Sequence, residues 1–546
     1  MYVHLLAMLF VISVVIFTIA YKIYGKYMAD VYGLDDKNKT PAEAMYDGID
    51  YCPAHPAVLL GHHFASIAGA GPIVGPITAG VMFGWLPAYL WCVIGSTFLG
   101  GPHDMAGLVS SMRHDGKSVG EVVDRWIGRK GKFLFLCFTI LALVLVVAVF
   151  LQLSANTFKA DPAVAFSATL YMVMAVIFGI LIYRYNTPLW LMTVIMVPII
   201  IYACWYGNSA QWVKDTFGAG METWRWWLAG YIFLASVLPV WLLLQPRDYL
   251  ASYFLYFAVI IGTVGMLMGS KFQVTLPAYK GFVAGGQYLW PMLFIIVACG
   301  ALSGFHALVG SGTTSKQIRR ESDATLVGYG SMLLEGVVAV IALGTVMISG
   351  ALVNNDPVST YGAGFGKFAE LVGIDPVVGK SLGLLAINTF LLTSLDTATR
   401  LARYQIQELF NMKIDRYTAT IVTVVAAMAL LLLKTHGADG KAIPAWLAIW
   451  PIFGAANQLV GALVLLAVSV WVVKGLKKSN TFLMLPMWFM LVTTVAALYF
   501  LVAGQLKLAA PNYLLVVVAI ILFLLAIMMV MEAFKALKRP DVELKK

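Results

Sequence analysis

Charge is scarce in this chain of 546 residues. Asp, Glu, Lys and Arg make up 12% of the sequence and hydrophobic residues 61%, whereas soluble domains carry roughly 25% charged residues. Residues 133–153, 164–183 and 513–531 hold no charge at all, and each run is long enough to cross a bilayer. The composition excludes an ordinary soluble domain. It predicts an all-α fold, a polytopic bundle of transmembrane helices.

Cysteine is also scarce, and familiar enzyme motifs are missing. None of the five cysteines forms a Cys-x-x-Cys pair, which excludes a disulfide framework or a cysteine zinc site. The sequence has no His-Glu-x-x-His, no P-loop and no dinucleotide-binding glycine fingerprint. We therefore expect no catalytic residue, no resident cofactor and no bound metal. The lack of an ATP site favours secondary transport over a pump.

Apolar runs predict about fifteen membrane spans in one transmembrane domain. The expected spans are 3–24, 56–83, 86–112, 133–153, 164–183, 187–206, 226–246, 247–270, 290–314, 325–350, 376–401, 418–433, 443–473, 484–504 and 513–535. Residues 1–55 should form an extra helix and a cytoplasmic loop, residues 56–401 the core, and residues 402–546 the C-terminal helices. The apolar start lacks a basic leader region, which predicts a retained helix and not a signal peptide.

The distribution of basic residues predicts an orientation. With the N-terminus outside and the C-terminus in the cytoplasm, cytoplasmic segments carry 26 Lys and Arg and external segments carry 9. This bias follows the positive-inside rule. The net charge of +10 lies in loops, without a basic face interleaved with aromatics. The lipid bilayer is therefore the expected partner, with no nucleic acid, and the sequence indicates no oligomeric state.

The stretch Gly61–Pro76 (GHHFASIAGAGPIVGP) interrupts the second span. Its glycines and prolines loosen or break a helix, which is tolerated at membrane depth only beside protein or a wet cavity. Exposed amides at a half-helix end can hold a carboxylate. The candidate substrate-binding residues are His62, His63, Gly69, Ala70 and Gly71. The alternatives are close helix packing through small residues and histidines bonded to backbone carbonyls. Adjacent histidines face different ways, so at most one should lie on the pathway.

A second stretch, Ser303–Lys316 (SGFHALVGSGTTSK), repeats these features in the span 290–314. Both place His and Phe before Ala, and both contain a Gly-x-Gly turn. Two interrupted spans with matching contents indicate a transporter binding site between inverted repeats. The candidates are Ser303, His306 and Ser311 for substrate, and Thr313 and Thr314 for a coupling ion. Hydroxyls bonded to their own helix carbonyls are the alternative.

Ionisable side chains within membrane spans are energetically unfavourable, so those that occur there usually have a function. His103 and Asp104 are candidates to carry a coupling proton, with a structural Asp104–Arg113 pair as the alternative. Glu335 also lies within a predicted span.

Two more charged pairs lie within or beside predicted spans. Asp396 is a further ion-coupling candidate, although Arg400, four residues on, shares its helix face. We therefore expect Asp396 and Arg400 to form a structural pair or a gate, rather than to act directly in transport. Arg247 and Asp248 are expected either to neutralise each other at the membrane interface or to act as a gate.

Five stretches resemble the carbon starvation protein (CstA) family: Gly61–Pro76, Gly116–Glu121, Cys299–Thr314, Ser394–Leu409 and Trp450–Leu459. The resemblance implies an inner-membrane uptake system induced by carbon starvation, with an inverted-repeat core like that of the amino acid–polyamine–organocation transporters. Members are described as peptide transporters and some as proton-coupled pyruvate importers. That grouping implies that span 226–246 is the second broken helix, whereas the motif repeat pairs 56–83 with 290–314.

Together these observations predict proton-coupled import of a small carboxylate, either a short peptide or pyruvate. The expected proton carriers are His62, His63, His306 or Asp104. Sodium coupling through Ser311, Thr313 and Thr314 is the alternative ion. Two other classes stay open. One is a metal-binding membrane enzyme or sensor built on intramembrane histidines at 62, 63, 103 and 306, and the other is a passive channel.

Overall fold

A computed structural model describes residues 4–47, 51–239, 242–433, 435–436, 442–443, 445–508 and 511–539. Four basic residues used in the orientation prediction lie outside the described residues, namely Lys434, Lys441, Lys545 and Lys546. Val3, the predicted start of the first span, also lies outside them.

The described chain is almost entirely helical. Its α-helices are α1 (Leu5–Ala20), α2 (Lys26–Tyr32), α3 (Pro41–Ala44), α4 (Pro56–Ile67), α5 (Gly71–Phe83), α6 (Trp85–Gly95), α7 (Gly101–Met112), α8 (Val119–Trp126), α9 (Arg129–Ala160), α10 (Pro162–Tyr185), α11 (Leu189–Ser209), α12 (Gln211–Phe217), α13 (Met221–Val237), α14 (Leu244–Leu267), α15 (Leu289–Ile296), α16 (Gly304–Gly312), α17 (Ser331–Ser349), α18 (Pro357–Glu370), α19 (Pro376–Leu409), α20 (Arg416–Leu431), α21 (Ala445–Trp471), α22 (Thr481–Leu506) and α23 (Tyr513–Lys538).

Strands occur only as two short antiparallel pairs within the described residues. They are β1 (Val283–Ala284) with β2 (Gln287–Tyr288), and β3 (Thr435–His436) with β4 (Ala442–Ile443). Wider, π-helical turns join or extend several helices: Tyr21–Gly25, Ser96–Gly100, Thr325–Gly330 and Val472–Leu476.

Ten helices in the described part of the chain are long and apolar enough to cross a membrane, and the bent pair α4–α5 makes eleven. The prediction of an all-α polytopic membrane protein is confirmed. The count of fifteen spans stays a prediction, because several expected spans correspond to shorter helices, such as the 16-residue α20.

One order of elements occurs twice along the chain. A broken span (α4 and α5) is followed by a helix with a π-helical turn (α6 to α7), the short α8 and the 32-residue α9. A second broken span (α15 and α16) is followed by a π-helical turn leading into α17, the short α18 and the 34-residue α19. The packing is reciprocal, because α5 contacts α17, α16 contacts α7, and α9 runs along α19.

The two broken spans run in opposite directions. α4 lies beside α16 and α5 lies beside α15, so each N-terminal half contacts the other span's C-terminal half. The start of α4 and the end of α16 lie at the end of the bundle that carries α8, which we call the α8 end. The pairing of 56–83 with 290–314 is therefore confirmed. Within the described residues, the broken span that runs antiparallel to α4–α5 is α15–α16. The span 226–246, which the resemblance implied as the second broken helix, includes residues 240 and 241, which lie outside the described residues, and α14, which follows α13, packs against α4.

The segment 351–372 lies between the predicted spans 325–350 and 376–401. It contains the helix α18, which packs against α17 and α19. It is the counterpart of α8 in the second copy of the element order.

Candidate functional site

The first break lies at Ala68–Ala70. α4 ends because Ala68 leaves helical geometry, with φ −72° and ψ 73°, and α5 restarts with Pro72 in its first turn. The two halves are bent by 48°. A Cβ at Gly71 would overlap the side chain of Cys299, and one at Gly75 would lie 2.8 Å from the carbonyl oxygen of Ile296. Glycine therefore lets the two broken spans approach each other closely.

The second break lies between Val297 and Ser303, and a side chain from α21 fills it. Asn457 Oδ1 accepts a hydrogen bond from the backbone N–H of Phe305 at 3.0 Å, and Asn457 Nδ2 donates to Ser303 Oγ at 3.0 Å. The first turn of α16 is thus capped by another helix. Ser303 and this half-helix end are packed against protein in this conformation.

A cavity of about 420 Å³ opens at the α8 end. Its wall contains residues from α4, α8, α16 and α19. The polar lining residues closest in sequence to the two breaks are His62, Ser66, Ser311 and Thr313. Three of the predicted site residues, His62, Ser311 and Thr313, therefore share one cavity.

The other predicted site residues do not line this cavity. Ten of them are buried and absent from its lining, namely His63, Gly69, Ala70, Gly71, His103, Asp104, Ser303, His306, Thr314 and Asp396. The two adjacent histidines separate as their helical positions predict. His62 reaches the cavity, whereas His63 is buried with Nδ1 2.8 Å from Thr314 Oγ1.

The hydroxyls proposed to bind a coupling cation already form hydrogen bonds within the protein. Thr313 Oγ1 donates to the carbonyl of Val309 at 3.1 Å, and Ser311 Oγ to that of Leu308 at 3.4 Å. Thr314 is held by His63. The structure therefore shows the backbone-bonded alternative for two of these three hydroxyls.

Four buried titratable residues outside the cavity lining contact one another. We call them the His–Asp–Glu cluster: His103, Asp104, His306 and Glu335. Asp104 lies 2.8 Å from His103 Nδ1 through Oδ1 and 2.8 Å from His306 Nδ1 through Oδ2. The other imidazole nitrogen of His306 lies 3.3 Å from Glu335 Oε2. The cluster joins α7, α16 and α17.

The His–Asp–Glu cluster contains two carboxylates and two imidazoles, but no Lys or Arg. Two ionised carboxylates beside neutral imidazoles would place a double negative charge in a dry interior, which is costly. The carboxylate of Glu335 also has no hydrogen-bond partner among the described residues. Protons are the only means by which these four side chains can change their total charge.

The alternative interpretation of Asp104, a structural pair with Arg113, is wrong. Arg113 Nη2 donates instead to Glu321 Oε2 at 2.8 Å. Glu321 also accepts from the backbone N–H of Asp35 at 2.9 Å. Arg113 therefore ties the segment after α2 to the segment after α16, while Asp104 lies deeper in the bundle.

A second buried group, which we call the arginine cluster, consists of Tyr231, Arg247, Asp248 and Asp396. Arg247 forms ion pairs with Asp396 and, at 2.8 Å, with Asp248 Oδ1. The hydroxyl of Tyr231 donates to Asp396 Oδ2 at 2.7 Å and accepts from Arg247 at 2.7 Å. His62 Nδ1 lies 3.9 Å from Asp248 Oδ2, so the cluster reaches the cavity wall.

The arginine cluster corrects two predictions. Arg247 and Asp248 do pair, but they are buried and share a third charge, so they are not a neutral pair at the membrane interface. Asp396 does not pair with Arg400, because its carboxylate forms an ion pair with Arg247. Arg400 Nη2 instead donates to the carbonyls of Ala235 and Leu238 at the end of α13. A shared helix face allowed the Asp396–Arg400 pair, but buried neighbours from other helices outcompeted it.

The histidines of the metal hypothesis do not converge. His62 lies at the cavity beside Asp248, His63 bonds Thr314, and only His103 and His306 share a neighbour. In the part of the chain that the structure describes, no three His, Cys, Asp or Glu side chains form a group suited to a metal ion.

Sequence reasoning did not assign roles to Glu335, Tyr231 or Arg400. A glutamate within an apolar span was a usable signal for the first. Tyr231 gave no signal, because tyrosines are common in membrane helices. Arg400 was taken as the partner of Asp396, which concealed its position on the cavity wall.

Two antiparallel broken spans beside an aqueous cavity define a polytopic α-helical membrane protein of the transporter type. The sequence matches the profile of the family described as carbon starvation protein CstA over residues 6–353 and 346–497. The chain therefore belongs to the carbon starvation protein CstA family.

Two curated relatives are similar over most of the chain. The peptide transporter CstA of Escherichia coli K12 is 32% identical over 89% of this chain and 80% of its own length. The pyruvate/proton symporter BtsT of the same organism is 30% identical over 93% of this chain and 82% of its own length. Among solved structures, a variant of the Eremococcus coleocola manganese transporter superposes with a TM-score of 0.47 and 12% identity, over 88% of this chain and 94% of that chain.

Proposed function

We propose that this chain is a secondary active transporter that imports a small carboxylate, pyruvate or a short peptide, across the inner membrane together with protons. The observation that carries the proposal is the cavity of about 420 Å³, which is lined by α4 and α16, one half of each of the two antiparallel broken spans. Cavities of roughly 300–1,000 Å³ suit small-molecule ligands. The names of the two relatives, a peptide transporter and a pyruvate/proton symporter, support this substrate class.

The orientation that we propose places the α8 end in the cytoplasm. The loops at this end carry most of the Lys and Arg residues, including Lys117 and Lys316 at the cavity wall. The N-terminus is then external and the C-terminus cytoplasmic. In this orientation the cavity opens inward, which is the state that releases an imported substrate.

The His–Asp–Glu cluster is the proposed proton carrier. It adds Glu335 to three residues that the sequence offered for proton coupling, namely His103, Asp104 and His306. Its side chains belong to α16 of the second broken span and to α7 and α17, one helix from each repeat. A change in the charge of the cluster would therefore alter how α16 packs against α7 and α17. Proton binding would then stabilise one conformation of the transporter more than another.

Uptake into proteoliposomes tests the proposal. Purified chain is reconstituted, and radiolabelled pyruvate and alanylalanine are offered under an imposed proton gradient, an imposed sodium gradient or neither. We expect accumulation above the external concentration only with an inward proton gradient, and its loss with a protonophore. Equilibration without accumulation would identify a passive channel, and insensitivity to both gradients would exclude coupled transport.

A further inference from the structure

Arg400 occupies an unusual position on the wall of the cavity. It lines the cavity, yet its side chain is largely enclosed, with a relative exposure of 9%. Its Nη2 donates to the backbone carbonyls of Ala235 at 2.6 Å and Leu238 at 2.9 Å. Nε has no hydrogen-bond partner, and no carboxylate among the described residues forms an ion pair with Arg400.

The charge of Arg400 is therefore only partly balanced. The carbonyls at the end of α13 carry a partial negative charge, about half an elementary charge for a whole helix end. Arg247, in the same region, is balanced by two full carboxylate charges. A buried guanidinium without an anion is unfavourable, so Arg400 leaves a site for a negative group in the cavity.

Acidic side chains of the cavity wall do not fill that site. Asp248 is bound by Arg247, and Glu121 and Glu408 are both bound by Lys132. The carboxylates outnumber these cations, because Asp248 shares Arg247 with Asp396, and Glu121 shares Lys132 with Glu408. Among the described residues none of the three carboxylates in the wall forms an ion pair with Arg400, which therefore stays available to an anion that enters from outside.

We propose that the guanidinium of Arg400 binds the carboxylate of the transported substrate, an inference that rests on the proposed function. A guanidinium matches a carboxylate with two parallel N–H donors. Thr397 lies one turn before Arg400 on α19 and also lines the cavity, as does His62 across from it on α4. These side chains offer polar contacts to the rest of a pyruvate or a peptide.

This assignment moves carboxylate recognition away from the half-helix ends. The N-terminus of α16 is capped by Asn457, and Gly69, Ala70 and Gly71 are buried outside the cavity lining. In the inward-open conformation, the group that meets the substrate carboxylate is a side chain of the long helix α19.

Binding to the purified full-length chain tests the inference. The variants are Arg400→Gln and Arg400→Lys. The matched control is Arg403→Gln, because Arg403 is also buried and also donates to a carbonyl near the end of α13, that of Ser236, but does not line the cavity. The probes are pyruvate against methyl pyruvate, and alanylalanine against its C-terminal amide, in equilibrium titrations.

We expect the wild-type chain to prefer each carboxylate over its neutral analogue. Arg400→Gln should weaken carboxylate binding about 10- to 100-fold, the usual effect of losing a charged hydrogen-bond partner, while analogue binding stays unchanged. Arg400→Lys should lose less, because it keeps the charge without the paired donors. Arg403→Gln should keep the wild-type preference.

A second measurement does not depend on the folding of a variant. Wild-type chain is treated with phenylglyoxal, and modification of Arg400 is quantified by peptide mass spectrometry. Pyruvate should protect Arg400 and methyl pyruvate should not.

Two results separate the inference from the proposed function. If the wild-type chain transports carboxylates but Arg400→Gln keeps their preference, or pyruvate leaves Arg400 unprotected, the inference alone is overturned. If the wild-type chain neither binds nor transports pyruvate or the dipeptide, the proposed function fails and the inference fails with it.

Discussion

The His–Asp–Glu cluster and the arginine cluster are both buried in one helical bundle, and they balance their charges by different means. The first contains two carboxylates and two imidazoles, and its total charge depends on how many protons it holds. The second contains a guanidinium between two carboxylates, and its positive charge is permanent. The first therefore suits proton exchange, and the second suits holding α13, α14 and α19 together.

Their positions differ as well. The residues of the His–Asp–Glu cluster are absent from the lining of the cavity at the α8 end, whereas Asp248 of the arginine cluster lies in that lining beside His62. A proton carrier that is closed to the open side of a transporter cannot release its proton there, so a conformational change has to precede release. Four substitutions test this contrast, from the largest expected effect on stability to the smallest.

Replacing the fixed charge should have the largest effect. Arg247→Met leaves two buried carboxylates without their cation, and we expect a loss of about 3–5 kcal/mol in the free energy of unfolding. Unfolding by sodium dodecyl sulfate in mixed micelles measures it. The double variant Arg247→Met with Asp396→Asn is the control and should recover part of the loss. A loss below about 1 kcal/mol would mean that the guanidinium is not the anchor of this cluster.

Tyr231→Phe should have an intermediate effect. The change removes a hydroxyl that donates to Asp396 and accepts from Arg247, and we expect a loss of about 1–3 kcal/mol, because a buried charged group loses a hydrogen bond. The same unfolding measurement applies. Tyr253→Phe is the control, since its hydroxyl bonds that of Tyr249 at an exposed site. Equal effects of the two changes would contradict the contrast.

Glu335→Gln should change stability by less than about 1.5 kcal/mol, because among the described residues the glutamate has no hydrogen-bond partner and no Lys or Arg to leave unpaired, and its ion-pair contact is the imidazole of His306 at 3.3 Å. Its effect should lie in transport. Without this proton-binding group, accumulation driven by a proton gradient should fall to the passive level, while exchange of labelled for unlabelled pyruvate continues. Proteoliposome uptake in the two modes measures the difference. Normal accumulation would remove Glu335 from the proton carrier.

His62→Gln should have the smallest effect on stability. Its imidazole is 27% exposed and lies 3.9 Å from Asp248, so we expect a change of about 0.5 kcal/mol or less, typical of an exposed charge interaction. The same unfolding measurement applies. A loss well above that range would show that the arginine cluster depends on the imidazole at the cavity wall, and the contrast with the His–Asp–Glu cluster would no longer hold.

Much of the architecture followed from local sequence features. Long apolar runs predicted a polytopic helical bundle, because a bilayer tolerates few other structures. The glycines and prolines of Gly61–Pro76 predicted a broken span. The repeated motif offered 290–314 as its antiparallel partner, whereas the family resemblance offered 226–246. These features were predictable because span length, helix breaking and motif repetition are properties of short segments.

The charge partners were much less predictable. Asp396 was expected to pair with Arg400 four residues away, but it pairs with Arg247, 149 residues away. Asp104 was expected to have Arg113 as an alternative partner, but it binds His306, 202 residues away. A rule about one helix face indicates which residues can meet, and it cannot rank them against residues that other helices bring to the same place.

The sequence by itself therefore determined the class of protein and the interrupted spans, since each depends on residues close together in the chain, but it left two candidates for the partner of the first break. Only the tertiary structure decided which broken spans face each other, which charges are paired, which histidine reaches the cavity, and that Arg400 has no carboxylate partner among the described residues. In the low-dielectric interior of a helical bundle, the energy of a charge depends on all the groups around it. Those groups belong to helices that are far apart along the chain.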